Sequence, residues 1–389
     1  MGIHAELRGA GARGARPRAL ARVSALTLLT GVAGCQIFAP ELAPDTTAQP
    51  PPAWAGLERS DLFEGVSPKT RLVGRVQKVV ASEEDTFSDL ARRFNLGYGE
   101  LVAANPGVDP WLPGEGTEIV LPTAHVIPEG PREGVVVNVA ALRLWWFGEP
   151  GSDGRQTVIT HPIGIGRVGW STPLAETTVV AKTADPTWYP PASVRKEHAE
   201  AGDPLPGVVP PGPDNPLGGH AIYFALPSYL MHGTNKPWGV GMRVSHGCIR
   251  LYPEDIEVLF ERIARGTKVR IVDEPWLGAW LDGELYFEAH APLEDGDRDW
   301  TAAIERLAAL ADGAPVDWIR AGAISAAAAG YPVPVSANTP PPDDWLALAP
   351  RVDNRPRGNY RAIALAAEPV GDEGDAGSGA GLAREAGTP

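Results

Sequence analysis

Cysteine is almost missing from this chain: 389 residues hold two, Cys35 and Cys248. They allow at most one disulfide, and a redox thiol at either position would have no nearby resolving partner. Basic residues are also few. Thirty-four Lys plus Arg stand against 48 Asp plus Glu, a formal net charge of −14. No basic patch dominates, which argues against nucleic-acid binding. Near the N-terminus the apolar run VSALTLLTGVAGC is too short to span a membrane as a folded helix. By contrast, glycine (45) and proline (40) are plentiful and cluster between elements, so linkers and long loops are expected. The length suffices for two or three domains.

In chain order, Arg8, Arg13, Arg16, Arg18 and Arg22 precede that apolar run and read as an export signal. The run ends Val32-Ala33-Gly34-Cys35, which resembles the bacterial lipobox. The resemblance implies a lipoprotein signal peptide over 1–34 and lipidation of Cys35; plain secretion is the competing reading. Gln36 rather than Asp after the cysteine implies the outer membrane. Residues 35–74 are rich in Pro, Ala and Thr and are expected to be a flexible tether.

Residues 75–122 read as a small βααβ unit. RVQKVV suits a strand, and Asp85 is placed to cap a helix bearing Phe87, Leu90, Ala91 and Phe94 at helical spacing. GELVAAN is a second helix, and TEIVLP a closing strand. Val79, Asp85-Thr86-Phe87, Leu101, Asn105, Leu112 and Ile119 to Pro122 resemble a LysM domain, a module that binds peptidoglycan or chitin glycan. Glu84 replaces the usual glycine. A small packing unit without a ligand is the plainer alternative. The unit is expected to be separable from the domain after it, so that deleting it spares turnover of a soluble substrate.

Residues 134–273 read as mainly β. VVVNVA, LRLWWF, QTVITHPIGIG, TTVVAKTA, HAIYFAL, SYLMHG and KVRIVD are strand-like. One packed helix is expected from Pro253 to Ala264, with Ile256, Leu259, Phe260 and Ile263 on its apolar face. Segment 184–219 has no period and reads as a semi-rigid cover over the active site, with a mere surface insertion as the equal alternative. Residues 274–335 form an extension with a hairpin and an amphipathic helix from Trp300. Residues 336–389 are expected to be a disordered tail.

The chemistry concentrates in HGTNKPWGVGMRVSHGCIR, from His232 to Arg250. It holds two of the eight histidines and Cys248. The residues alone leave four readings: a buried structural cysteine, a metal site of His232, His246 and Cys248, a redox thiol, and a Cys–His acyl-transfer site. For metal, no fourth ligand falls at a familiar spacing.

Ser245-His246-Gly247-Cys248-Ile249-Arg250, preceded by His232-Gly233-Thr234, resembles the signature of the L,D-transpeptidases with a YkuD-type catalytic domain, a β-sandwich or barrel. Val135 to Phe147, Ser171-Thr172-Pro173, Pro204 to Gly218 and Tyr229 to Asp255 extend the resemblance to LysM-bearing periplasmic members of Gram-negative bacteria. Ala175 departs from a common glycine. The resemblance implies that Cys248 is the nucleophile and His232 its general base, with His246 a further catalytic-site residue that orients the loop and hydrogen-bonds nearby. It places the Gly247 and Cys248 amides at an oxyanion. Arg250 would hold a stem-peptide carboxylate, with a structural salt bridge as its alternative, and Gly233, Thr234 and Ser245 would line or shape the substrate site. Cys248 would attack the diamino-acid–D-alanine bond of a peptidoglycan tetrapeptide and form a thioester. The acyl group would pass to a stem-peptide amine in a 3→3 cross-link or to a lysine of an outer-membrane lipoprotein. Neither metal nor organic cofactor is implied. The only membrane contact would be the lipid anchor. The alternatives are an L,D-carboxypeptidase or cross-link hydrolase, or a non-catalytic peptidoglycan-binding lipoprotein.

Overall fold

A computed structural model describes residues 61–291, 293 and 300–354. The signal-peptide and Cys35 expectations, with tether residues up to 60 and tail residues from 355, lie outside them. The chain enters as β1 (Leu62–Val66) and β2 (Leu72–Gly74). Residues 61–74 are therefore not tether. Phe63 is 1% exposed, and β1 pairs antiparallel with a later strand through Leu62↔Ile159. Burying that one aromatic ring contributes about 1.5–3 kcal/mol, which a free tether would forgo.

Next come β3 (Gln77–Val80), α1 (Phe87–Arg93), α2 (Tyr98–Ala104) and β4 (Glu118–Leu121), the expected βααβ order. The cap of α1 differs from expectation. Thr86, not Asp85, is the N-cap, and it forms a capping box with Asp89. Asp85 instead accepts from the Ser82 amide at 2.7 Å and pairs with Arg93. Asn105 closes α2 onto β4: its side chain donates to the Leu101 and Val120 carbonyls and accepts from the Val120 amide. Phe87, Leu90, Leu96, Leu101, Ile119 and Leu121 form this unit's own core.

After β5 (Ala124–Val126) the main sheet is built. In chain order come β6 (Gly134–Asn138), β7 (Arg143–Phe147), β8 (Gln156–Pro162), β9 (Ile165–Gly166) and β10 (Ala175–Ala184). Helix α3 (Ala192–Glu200) interrupts, followed by β11 (His220–Phe224), β12 (Leu230–His232), β13 (Arg243–Ser245) and β14 (Ile249–Arg250). Helix α4 (Pro253–Arg262) and β15 (Lys268–Val272) complete it. The result is a nine-stranded mixed sheet, β1-β8-β7-β6-β15-β10-β11-β12-β14, with β9 and β13 as a separate parallel pair. Ile256, Leu259 and Ile263 pack into the core with Val137, Ile222, Met231 and Ile271, as the periodicity of α4 requires. The unit is mainly β, but α3 adds a helix to the single one expected.

The two units share a buried interface. Arg143 of β7 forms a buried two-pronged pair with Glu100 of α2, at 2.9 and 3.0 Å. The Asn95 side chain donates to the Thr160 carbonyl, and the Tyr252 hydroxyl to that of Leu96. A Cβ on Gly97 would stand 2.5 Å from the Gly241 Cα, so the two backbones touch there.

The C-terminal part forms β16 (Trp276–Leu281), β17 (Glu284–Ala289), α5 (Trp300–Ala311), α6 (Trp318–Ala327), β18 (Val333–Pro334), α7 (Pro342–Ala347) and β19 (Arg351–Val352). Residues 336–354 are thus ordered, against the expected tail. β19 adds a parallel edge strand to β3, and Arg351 pairs with Glu118 at 2.6 Å. Among the described residues no helix is long and apolar enough to cross a membrane.

Candidate active site

Two short strands carry the expected residues together. β12 ends at His232, and β14 runs parallel to it with Met231 opposite Ile249 and His232 opposite Arg250. Cys248 immediately precedes β14. Its thiol donates to the Ser228 carbonyl at 3.6 Å. Cys248, His232, His246, Ser245 and Arg250 all line one cavity of about 420 Å³. Cys248 is a free thiol.

The loop before the sulfur is held by short-range sterics. Gly247 has φ +104°, and a Cβ there would lie 2.9 Å from the Tyr229 ring. Only glycine fits both demands. Thr172 clamps the same loop: its hydroxyl donates to the Gly247 carbonyl at 2.8 Å and accepts from the Gly166 amide at 3.1 Å. The Gly247 N–H donates to Ser245 Oγ at 3.1 Å, and Ser245 Oγ–H donates to the Cys248 carbonyl at 2.6 Å. The Gly247 amide is therefore committed within the loop and is not a free oxyanion donor, a correction to the expected pair. Ser245 likewise spends its hydroxyl on the loop.

His232 is buried, and its Nδ1 lies 2.6 Å from the Gly233 carbonyl. A carbonyl only accepts, so Nδ1 carries the proton and Nε2 the lone pair. Burial, with Arg250 adding to it, pushes His232 down to about 3. Burial also pushes the Cys248 thiol up, against the opposing Leu230 amide and Arg250 charge. At neutral pH the thiol and the imidazole that line this cavity are both neutral.

Arg250 has its guanidinium depressed by burial and partly restored by Cys248. Its Nε is buried without a hydrogen-bond partner, and no carboxylate pairs with it among the described residues. Among the described residues the alternative structural salt bridge of Arg250 is not made. Gly233 and Thr234 do not line the cavity. Thr234 accepts from the Lys236 amide at 2.9 Å, and a Cβ on Gly233 would press Ile256 at 3.2 Å. They shape the turn after His232.

The segment after β10 does lie over the site: Thr187, Trp188, Tyr189, Pro191, Ser193 and Val194 form one cavity wall. Its base is closed by reciprocal 2.9 Å hydrogen bonds between Trp188 and Val209, and by buried Asn215, whose side chain donates to the Pro186 and Pro210 carbonyls. From α3, Glu197 reaches the His246 Nε2 at 3.2 Å and pairs with Arg167. Partial desolvation pushes the Glu197 carboxyl up, but Arg167 and His246 outweigh it and hold it low. Sequence reasoning missed Arg167, Glu197 and the clamp role of Thr172. Of these only Thr172, within Ser171-Thr172-Pro173, carried a signal.

Residues 132–271 match the YkuD family, described as the L,D-transpeptidase catalytic domain. The chain is 44% identical over 228 residues to the Probable L,D-transpeptidase YbiS of Escherichia coli strain K12, covering 58% of this chain and 73% of that protein. It is 38% identical over 282 residues to the Probable L,D-transpeptidase ErfK/SrfK of Salmonella typhimurium strain LT2, covering 70% and 90%. The NMR structure of the catalytic domain from the E. faecium L,D-transpeptidase aligns at 20% identity and a TM-score of 0.28, over 37% of this chain and all of that one.

Proposed function

The chain belongs to the L,D-transpeptidase family, and from that premise we propose that it is a cysteine acyltransferase acting on peptidoglycan tetrapeptide stems. The observation that carries this reading is the shared cavity of Cys248 and His232, whose Nε2 lone pair is fixed by the Nδ1–Gly233 hydrogen bond, with Arg250, which no carboxylate pairs among the described residues, lining the same cavity.

The steps follow from those atoms. Arg250 pairs with a stem-peptide carboxylate, its planar fork gaining the partner it lacks. The Cys248 sulfur attacks the carbonyl of the third, diamino-acid residue. Both groups start neutral, so the thiol proton passes to His232 Nε2 as the C–S bond forms. With the Gly247 amide taken by Ser245, the Cys248 amide is the donor left for the developing oxyanion. His232 then protonates the departing nitrogen of D-alanine and leaves a thioester. An amine attacks in turn, giving a 3→3 link or a lipoprotein attachment.

The βααβ unit, residues 75–122, is proposed to bind glycan as a LysM module. Cys35 is proposed to be lipidated, so that the enzyme works in the periplasm from an outer-membrane anchor. Mass analysis of purified protein incubated with tetrapeptide muropeptides tests the activity. Dimers joined between third residues support cross-linking, and loss of D-alanine that requires a lysine-bearing lipoprotein tail supports attachment. Tripeptides alone would contradict transfer.

A further inference from the structure

Two histidines line the cavity that holds one thiol, but their environments differ. His232 is buried and tied to a backbone carbonyl. His246 is partly open, and its Nε2 stands 3.2 Å from both Glu197 Oε2 and Arg167 Nη2. The Trp170 ring packs edge-on against it at 4.9 Å. One nitrogen cannot both donate to Glu197 and accept from Arg167. The ring therefore has two proton arrangements, and the carboxylate and guanidinium select between them.

The charge distribution points the same way. Among the described residues no acidic side chain lines the cavity itself. Glu197 is the carboxylate standing one hydrogen bond behind that lining, on the helix of the covering segment. The charged and titratable groups around His246 are Glu197 and His198 on α3 and Arg167 after β9. Burial lowers His246, and Glu197 opposes that shift.

A transfer step needs something an acylation step does not. The acceptor arrives as an ammonium, and it must lose a proton before its lone pair can attack. We propose that Glu197 and His246 form the acceptor subsite, which takes a primary ammonium and deprotonates it beside the thioester. This rests on the Cys248 acyl-enzyme reading. Glu197 attracts the cation, which replaces the Arg167 guanidinium as its partner, and holds His246 in register. His246 takes one proton from the ammonium. The freed nitrogen lone pair forms the C–N bond to the acyl carbon. The nitrogen loses its second proton to His232 Nε2, the C–S bond breaks, and His232 returns that proton to the departing Cys248 sulfur. Amide and thiol result, with no other reactant. His246 is thereby a catalytic residue for the second half-reaction and Glu197 its positioning partner.

The test measures how the acyl-enzyme divides between aminolysis and hydrolysis. Full-length protein is supplied with a tetrapeptide and either Nα-blocked lysine, which is an ammonium at neutral pH, or methoxyamine, which is not. Products are counted by mass. In Glu197→Gln the ratio of lysine adduct to tripeptide should fall about tenfold or more, while the methoxyamine ratio holds. Glu197→Asp, which keeps the charge, should recover part of the lysine ratio. A Glu197→Gln ratio equal to wild type for lysine, or an equal fall for both amines, would overturn the proposal, because a merely structural role affects both. Absence of any acyl-enzyme in the wild type would instead overturn the reading beneath it.

Discussion

Tyr252, four residues after Cys248 in sequence, donates its hydroxyl to the Leu96 carbonyl of the βααβ unit at 3.0 Å. Beside it Arg92 grips Glu254 with two hydrogen bonds of 2.8 Å. The start of α4, which follows the strand after the thiol, is thus braced directly by residues 92–96.

That bracing makes the βααβ unit part of the catalytic fold. Glu100→Ala should destabilise the whole protein by about 3–5 kcal/mol, because it strands Arg143 as a buried uncompensated charge. Urea unfolding gives the measurement. A loss confined to the βααβ unit, with the main sheet melting as before, would contradict the shared interface.

Gly247→Ala should cut acylation by at least about an order of magnitude. The added methyl meets the Tyr229 ring at 2.9 Å in a backbone region costly for side chains, so the loop must move the sulfur. Stopped-flow acylation by a thioester substrate reads the rate, and an unchanged rate would mean the loop tolerates the shift.

Histidine burial sets a pH dependence of stability. His232 at about 3 and His125, driven well down by complete burial, bind fewer protons folded than unfolded. Their stability contribution is complete above the unfolded histidine value near 6.5 and is lost as pH falls toward the folded values. Removing His232 as His232→Gln should flatten the stability slope between pH 6 and 4 by about 1.4 kcal/mol per pH unit. Equal slopes would mean His232 titrates in the folded state.

The sequence made some of this legible and some not. His232 and Cys248 could be read because each sits at a strand end within one linear motif. Helix α4 could be read because Ile256, Leu259 and Ile263 repeat at helical spacing. Strand β1 was hidden: LFEGV has no alternation, and its pairing partner lies about a hundred residues on. Helix α3 was hidden because Val194 is its one buried residue, leaving no apolar period. Glu197 and Arg167 meet His246 across 49 and 79 residues, which no spacing rule reaches. The resemblance implies an oxyanion role for the Gly247 amide, but a motif does not show that Ser245 already takes that N–H.

The thiol should behave as a neutral group. Burial holds Cys248 above a free cysteine, so alkylation by iodoacetamide should climb with pH and show no plateau below pH 8. A plateau near pH 6 would indicate a preformed thiolate–imidazolium pair and contradict the concerted proton transfer.

The most direct test is the intact mass of the protein after brief exposure to a tetrapeptide stem. The expected result is an adduct equal to the stem less its terminal D-alanine, located by fragmentation on the peptide containing Cys248 and absent from Cys248→Ala. The same adduct on Cys248→Ala, or on another peptide of the wild type, would contradict a Cys248 acyl-enzyme.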